Sequence, residues 1–288
     1  MINKGVIMSM SENRLLEVNN LCISFKVDDN LVPTIKNVSL HIDKGECVSI
    51  VGESGSGKTV TCRSLLGLVP MPPGVFTNGS INYGGMDLTK ITDKGWRKIR
   101  GSEISMVFQD PMIALNPVYT IGKQMENVYI YQGKSSIHSK LDKKTSVLKK
   151  EAKERSLHLL EKMKLPDPEG MLNRYPFELS GGQRQRIIIA LAMIHTPKLL
   201  IADEPGTALD VTVQSSINEE LKRLVKEENI SMIFITHNLG VAKDVSDRIY
   251  VMKLGEVVEE GKTDEVLLNP KNEYTKSLLE ALPRVTGK

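Results

Sequence analysis

With 288 residues, 40% of them hydrophobic and 25% charged, the chain is long enough to bury a sizeable core and too mixed in composition to be disordered throughout. Its net charge of +3 is a mild excess that gives no argument for nucleic acid as a partner. The longest unbroken apolar run, Ile187 to Ile194, has eight residues, against the roughly 18 to 20 that a membrane-crossing helix needs, and no transmembrane segment is read. Cys22, Cys47 and Cys62 form no CxxC pair and are too few for a disulfide framework; they read as buried thiols, with neither a zinc nor an iron–sulfur site expected.

In chain order, residues 1–13 read as a flexible leader without a secretory core, because Lys4, Gly5 and Ser9 break its apolar stretch. Leu15–Val18, Cys22–Phe25, Val38–Ile42 and Cys47–Val51 are short β-type runs, separated by Asn-Asn, Asp-Asp-Asn and Asp-Lys-Gly turns. A Gly-rich loop follows, then a helix pattern from Lys58 to about Leu68 that stops before Pro70. Residues 72–110 hold loops and short strands and end in the apolar run Ile104–Phe108.

From about 116 to 178 the pattern turns helical. Leu141, Leu148, Ala152, Leu159 and Met163 form one stripe, with Lys143, Lys144, Lys149, Lys150, Lys153 and Arg155 largely elsewhere, on what reads as a solvated face. Beyond this lobe the sequence predicts a helix over Gln183–His195, a buried strand at Leu199–Ala202 and a helix over Val213–Glu227. A second buried strand follows at Ile230–Thr236, then a short helix from Val241–Val245 and a hairpin of Ile249–Lys253 with Val257–Glu259. Buried apolar strands alternating with helices imply an α/β fold with a mainly parallel sheet.

Gly52, Glu53, Ser54, Gly55, Ser56, Gly57, Lys58 and Thr59 fit the pattern GxxxxGK[ST] between a strand and a helix, the context that pattern requires. Such a loop turns successive N–H groups towards phosphate oxygens, with Lys58 reaching the terminal phosphates and the Thr59 hydroxyl placed to ligate magnesium. Asp203 and Glu204 end a buried strand, Asp203 suited to the magnesium shell and Glu204 to polarising the attacking water. Ser180, Gly181, Gly182 and Gln183 open a helix, as a plain N-cap or as a second anion site. Gln109, Asp210 and His237 each have a bland local reading: a turn amide, a helix-start acid and a strand-end histidine.

Together and in this order, GESGSGKT, Gln109, LSGGQ, LLIADEP, ALD and His237 make the chain resemble the nucleotide-binding subunit of an ATP-binding cassette (ABC) transporter, from about Leu15 to the C-terminus. The resemblance implies a P-loop NTPase core with a mainly parallel sheet, an N-terminal antiparallel β subdomain and an inserted α-helical subdomain. Residues 14–115 and 179–262 would form the ATP-binding core, 116–178 the helical subdomain and 263–288 a C-terminal tail. It further implies head-to-tail dimers holding two ATP molecules with Mg2+, the loop of one subunit facing the LSGGQ of the other. Gln109 would contact magnesium and the attacking water, His237 the γ-phosphate, and Asp210 would couple the two sites. Phe25 is placed to stack on adenine or to be a core strand residue.

The loop wording, Phe108-Gln109-Asp110-Pro111 with Leu115-Asn116-Pro117, and the tail from Asn269-Pro270 through Tyr274-Thr275 resemble oligopeptide, dipeptide and nickel importers. In that group the ATPase lies on the cytoplasmic face of the membrane beneath two transmembrane permease subunits. It pairs with a second, homologous ATPase, and an extracytoplasmic substrate-binding protein delivers the solute. Gly206 stands where the family commonly has Thr, a change expected to loosen the turn after Glu204.

Overall fold

The computed structural model describes residues 13–110, 114–135, 144–207 and 209–281. Strands β1 (Arg14–Val27) and β2 (Asn30–Asp43) form a hairpin closed over Asp28 and Asp29, and β4 (Gly74–Tyr83) with β5 (Met86–Asp87) extends the other edge of β1. This gives an antiparallel sheet of order β2-β1-β4-β5. The second sheet contains β3 (Cys47–Val51), β6 (Ile104–Val107), β7 (Leu199–Asp203), β8 (Ser231–Thr236), β9 (Arg248–Lys253) and β10 (Glu256–Lys262), in the order β10-β9-β3-β8-β7-β6. Its neighbours run parallel except for the β9–β10 hairpin.

Side-chain alternation on these strands separates two cores. Ile233 and Ile235 of β8 point to a core shared with the antiparallel sheet, beside Leu16, Ile23, Ile35 and Ile50. Met232 and Phe234 of the same strand point the other way. Every residue of β7 and β8 is buried, which is why these strands read as continuous apolar runs.

The second core is closed by α3 (Ile121–Ser135), α4 (Thr145–Lys162), α6 (Gly181–Ala192) and α7 (Val211–Glu227), through residues such as Met125, Leu159, Ile187 and Leu221. Helix α5 (Pro168–Asn173) adds Met171 to it. A third cluster joins Val51 and Val251 to α8 (Leu239–Val245), α9 (Thr263–Leu268) and α10 (Glu273–Glu280). No helix among the described residues is long and apolar enough to cross a membrane.

Several local expectations need correction. Leu15–Val18 and Cys22–Phe25 are one strand, not two: the Asn19-Asn20 break is an irregularity in pairing where Asn20 takes φ 50, a conformation asparagine tolerates well. Strand β2 begins at Asn30, well before Val38. Helix α1 (Lys58–Ser64) stops short of Leu68, because the chain turns through Gly67 at φ 58. A Cβ on Gly67 would lie 2.5 Å from the Trp96 ring, so helix α2 (Asp93–Ile99), which carries Trp96 and was not read from the sequence, packs directly on that turn.

Helix α6 ends at Ala192, three residues before His195, with Thr196 at φ 50 reversing the chain. Of the apolar stripe, Ala152, Leu159 and Met163 are fully buried and Leu148 is partly so, while Leu141 lies outside the described residues. Arg155 is not on the solvated face. It donates to the carbonyls of Met193 and Ile194 at 3.2 and 3.3 Å and pairs with Glu228, covering the C-terminal end of α6. Cys62 is buried, but Cys22 and Cys47 are only partly so, and all three are free.

Candidate active site

The topology gathers four strand ends at one edge. Strands β3, β8, β7 and β6 are parallel neighbours, so the segments leaving their carboxyl ends emerge side by side. These segments carry the Gly52–Thr59 loop, His237, Glu204 and Gln109 respectively.

The loop is shaped by close approaches. A Cβ on Gly52 would lie 2.1 Å from the Met252 carbonyl oxygen, and Gly57, at φ 102, would place one 2.8 Å from Ile35 Cδ1. Glu53, Ser54 and Gly55 are exposed at the crest, whereas Ser56, Gly57 and Lys58 are buried beneath it. Lys58 Nζ donates to the carbonyls of Gly52 at 2.7 Å and Glu53 at 2.9 Å. Burial holds the Lys58 ammonium below its ordinary pKa, with the charges of Glu204 and Asp203 acting the other way. The Ser56 hydroxyl is buried without a hydrogen-bond partner, an unmet capacity facing the loop interior beside Gly52.

Thr59 Oγ1 donates to Asp203 Oδ1 at 3.1 Å, joining the loop to the end of β7. Asp203 is 2% exposed, and burial pushes its carboxyl above the ordinary carboxylate range despite the Thr59 hydrogen bond. Glu204, at φ 46, turns its carboxylate into the centre of the edge. It meets Gln109 Nε2 at 3.3 Å, Thr207 Oγ1 at 3.0 Å and His237 Nδ1 at 3.1 Å. Thr207 was not read from the sequence as a site residue; its position three residues after Glu204 on a tight turn was the available signal.

That turn is hydrogen-bonded. Thr207 N–H donates to the Glu204 carbonyl and Leu209 N–H to Gly206, and a Cβ at Gly206 would meet Gln214 Cγ at 2.7 Å. A larger residue at Gly206 would have to displace the Gln214 side chain.

Residues 35–207 match the family described as ABC transporter. The chain belongs to the ABC transporter family. It is 48% identical over 270 residues to the oligopeptide transport ATP-binding protein OppD of Bacillus subtilis (strain 168), spanning 94% of this chain and 72% of that protein. It is 43% identical over 272 residues to the dipeptide transport ATP-binding protein DppD of the same organism, spanning 94% and 78%. Among solved structures it resembles a dimeric ATP-binding cassette, MJ0796, in a post-hydrolysis state bound to ADP and Pi, with TM-score 0.72 and 30% identity over 86% of this chain and 99% of that one. It also resembles cbiO1 from Clostridium perfringens, part of the ABC transporter complex cbiONQ, with TM-score 0.73 and 26% identity over 95% and 98%.

The remaining motif residues of this ABC cassette form a second group. Ser180 caps α6 in a reciprocal box with Gln183, its hydroxyl accepting from Gln183 N–H and its own N–H donating to Gln183 Oε1. Gly181 and Gly182 leave room for the next segment, since Cβ atoms there would lie 3.0 Å from Leu209 and 2.9 Å from Val213. Asp210 caps α7 by accepting from Val213 N–H. LSGGQ and Asp210 thus share one surface through paired helix starts. Phe25 sits on β1 opposite Val32 and Gly74, partly buried against the core of the antiparallel sheet, so the strand-residue reading describes its inner contacts.

Proposed function

We propose that this ATP-hydrolysing ABC cassette drives peptide import through a membrane partner. The observation that carries the proposal is the convergence of Gln109, Thr207 and His237 on the Glu204 carboxylate, beside a Lys58 loop and a buried Asp203. The similarity to oligopeptide and dipeptide transport ATP-binding proteins supports the choice of cargo class.

Within this reading, ATP phosphates lie in the Gly52–Thr59 loop, and Lys58 exchanges its two carbonyl acceptors for phosphate oxygens. Ser56 contributes its unpaired hydroxyl to the same cradle. Thr59, Asp203 and Gln109 carry hard oxygen donors that would suit Mg2+. Magnesium bound there supplies charge neutralisation on the transferred phosphoryl group. Glu204 accepts the proton of the attacking water, and Gln109, Thr207 and His237 hold that carboxylate in place, with His237 reaching the γ-phosphate.

Ser180, Gly181, Gly182 and Gln183 face the ATP of a second, homologous ATPase subunit, with Asp210 beside them linking the two sites. Phe25 offers the exposed part of its ring to adenine. Residues 116–178 form the lobe that meets two transmembrane permease subunits, 14–115 and 179–262 the ATP-binding core, and 263–288 its tail, at the cytoplasmic face of the membrane. An extracytoplasmic binding protein presents the peptide to the complex.

The test is uptake of a labelled oligopeptide by cells lacking this chain. The wild-type chain restores uptake and Glu204→Gln does not; undiminished uptake in the deletion contradicts the proposal.

A further inference from the structure

The Glu53 N–H donates to the Tyr274 hydroxyl at 3.1 Å, across 221 residues of sequence. This contact ties the crest of the phosphate loop to helix α10 of the tail. Tyr274 is 8% exposed and packs in the cluster that includes Val51, the residue preceding the loop. Its ring lies under Lys253, whose Nζ is 4.6 Å from the ring centroid, and Lys253 ends β9, the strand paired beside β3. The start of α10 is itself fixed: Asn272 accepts from Tyr274 N–H at 2.9 Å, and Glu259 accepts from the N–H groups of Lys271 and Asn272. Burial raises the Tyr274 phenol above its ordinary pKa, so it stays neutral.

The Glu53 residue held this way matters to its neighbours. Its carbonyl accepts from Lys58 Nζ at 2.9 Å and from Ser56 N–H at 3.2 Å. Its N–H is thus fixed from outside the loop while its carbonyl anchors two inward-facing groups. A loop ordered before its ligand arrives does not lose that conformational freedom on binding.

We infer that Tyr274 is a positioning residue for the nucleotide loop, through which the tail helix α10 sets nucleotide affinity. The inference rests on the reading of Gly52–Thr59 as the ATP loop. Tyr274→Phe removes only the hydroxyl. Titration of the full-length chain with Mg-ATP and with Mg-ADP is expected to show Kd raised about three- to tenfold for both, the scale of one lost neutral hydrogen bond. In the assembled transporter KM for ATP rises while kcat at saturation stays within about twofold. Leu278→Ala, which takes apolar area from the same cluster without reaching the loop, lowers the melting temperature and keeps the wild-type affinity.

Wild-type affinity in Tyr274→Phe overturns the inference, and so does an equal affinity loss in Leu278→Ala, which would mean general loosening of the tail. Lys58→Ala separates the role of the loop from that of Tyr274. Unchanged ATP binding there overturns the loop reading and this inference with it; lost binding there beside wild-type binding in Tyr274→Phe overturns this inference alone.

Discussion

At Glu204 one carboxylate takes contacts from Gln109 at the end of β6, from Thr207 on its own turn and from His237 at the end of β8. Those partners fix its direction, which a general base needs more than it needs proximity alone. Glu204→Gln keeps the shape and removes the carboxylate proposed to accept the proton. Nucleotide binding should remain and hydrolysis should fall by about 10²-fold or more; single-turnover hydrolysis of radiolabelled ATP measures it, and wild-type turnover would remove Glu204 from the role. Asp203 carries a stability cost of its own. Burial raises its pKa above the unfolded value, so the folded state is favoured by protonation and loses that contribution as pH rises through the folded pKa. Asp203→Asn should therefore raise the melting temperature of the nucleotide-free chain at neutral pH and flatten its pH dependence near the carboxylate range, while abolishing magnesium-dependent hydrolysis. A lower melting temperature in that variant would mean the charge is already compensated. These residues were legible from sequence because a GxxxxGK[ST] loop and a buried strand ending in Asp-Glu each specify their own local backbone. Tyr274 was not legible as a loop contact, since its partner lies 221 positions away.

Helices and strands were legible where the pattern was plain, the helical period of α7 and the continuous apolar run of the fully buried β8, and less so where a single residue decides a boundary. Asn20 absorbs a bulge that a sequence reading takes for a turn, and Gly67 ends α1 because Trp96, a residue of an unread helix, fills the space beside it. Arg155 shows the limit most clearly. It lies among lysines on an apparently solvated helix, yet its acceptors belong to the end of α6, and period alone carries no information about a neighbouring helix. Arg155→Ala should destabilise the chain by about 1–3 kcal/mol by removing its hydrogen bonds to the Met193 and Ile194 carbonyls and its ion pair with Glu228. Lys153→Ala, on the exposed side of the same helix, should stay within about 0.5 kcal/mol. Urea unfolding of the two variants decides it; equal midpoints would return Arg155 to the solvated face.

At the scale of the molecule, the motif residues fall into two bonded groups: the loop with Asp203, Glu204, Gln109 and His237, and the helix starts capped by Ser180 and Asp210. In the proposed head-to-tail pairing, a single chain would supply half of each composite site. Ser180→Arg should leave ATP binding by the isolated chain unchanged and reduce hydrolysis in the assembled complex to background; equal loss of binding in the isolated chain would contradict the composite arrangement. The edge built around Glu204 is proposed to work inside a membrane importer. The most direct measurement is affinity purification of a tagged Glu204→Gln chain from gently solubilised membranes in Mg-ATP, with identification of every co-purifying protein. Two permease subunits and a second, homologous ATPase should co-purify. Recovery with DNA, with ribosomes or with no membrane protein would contradict it.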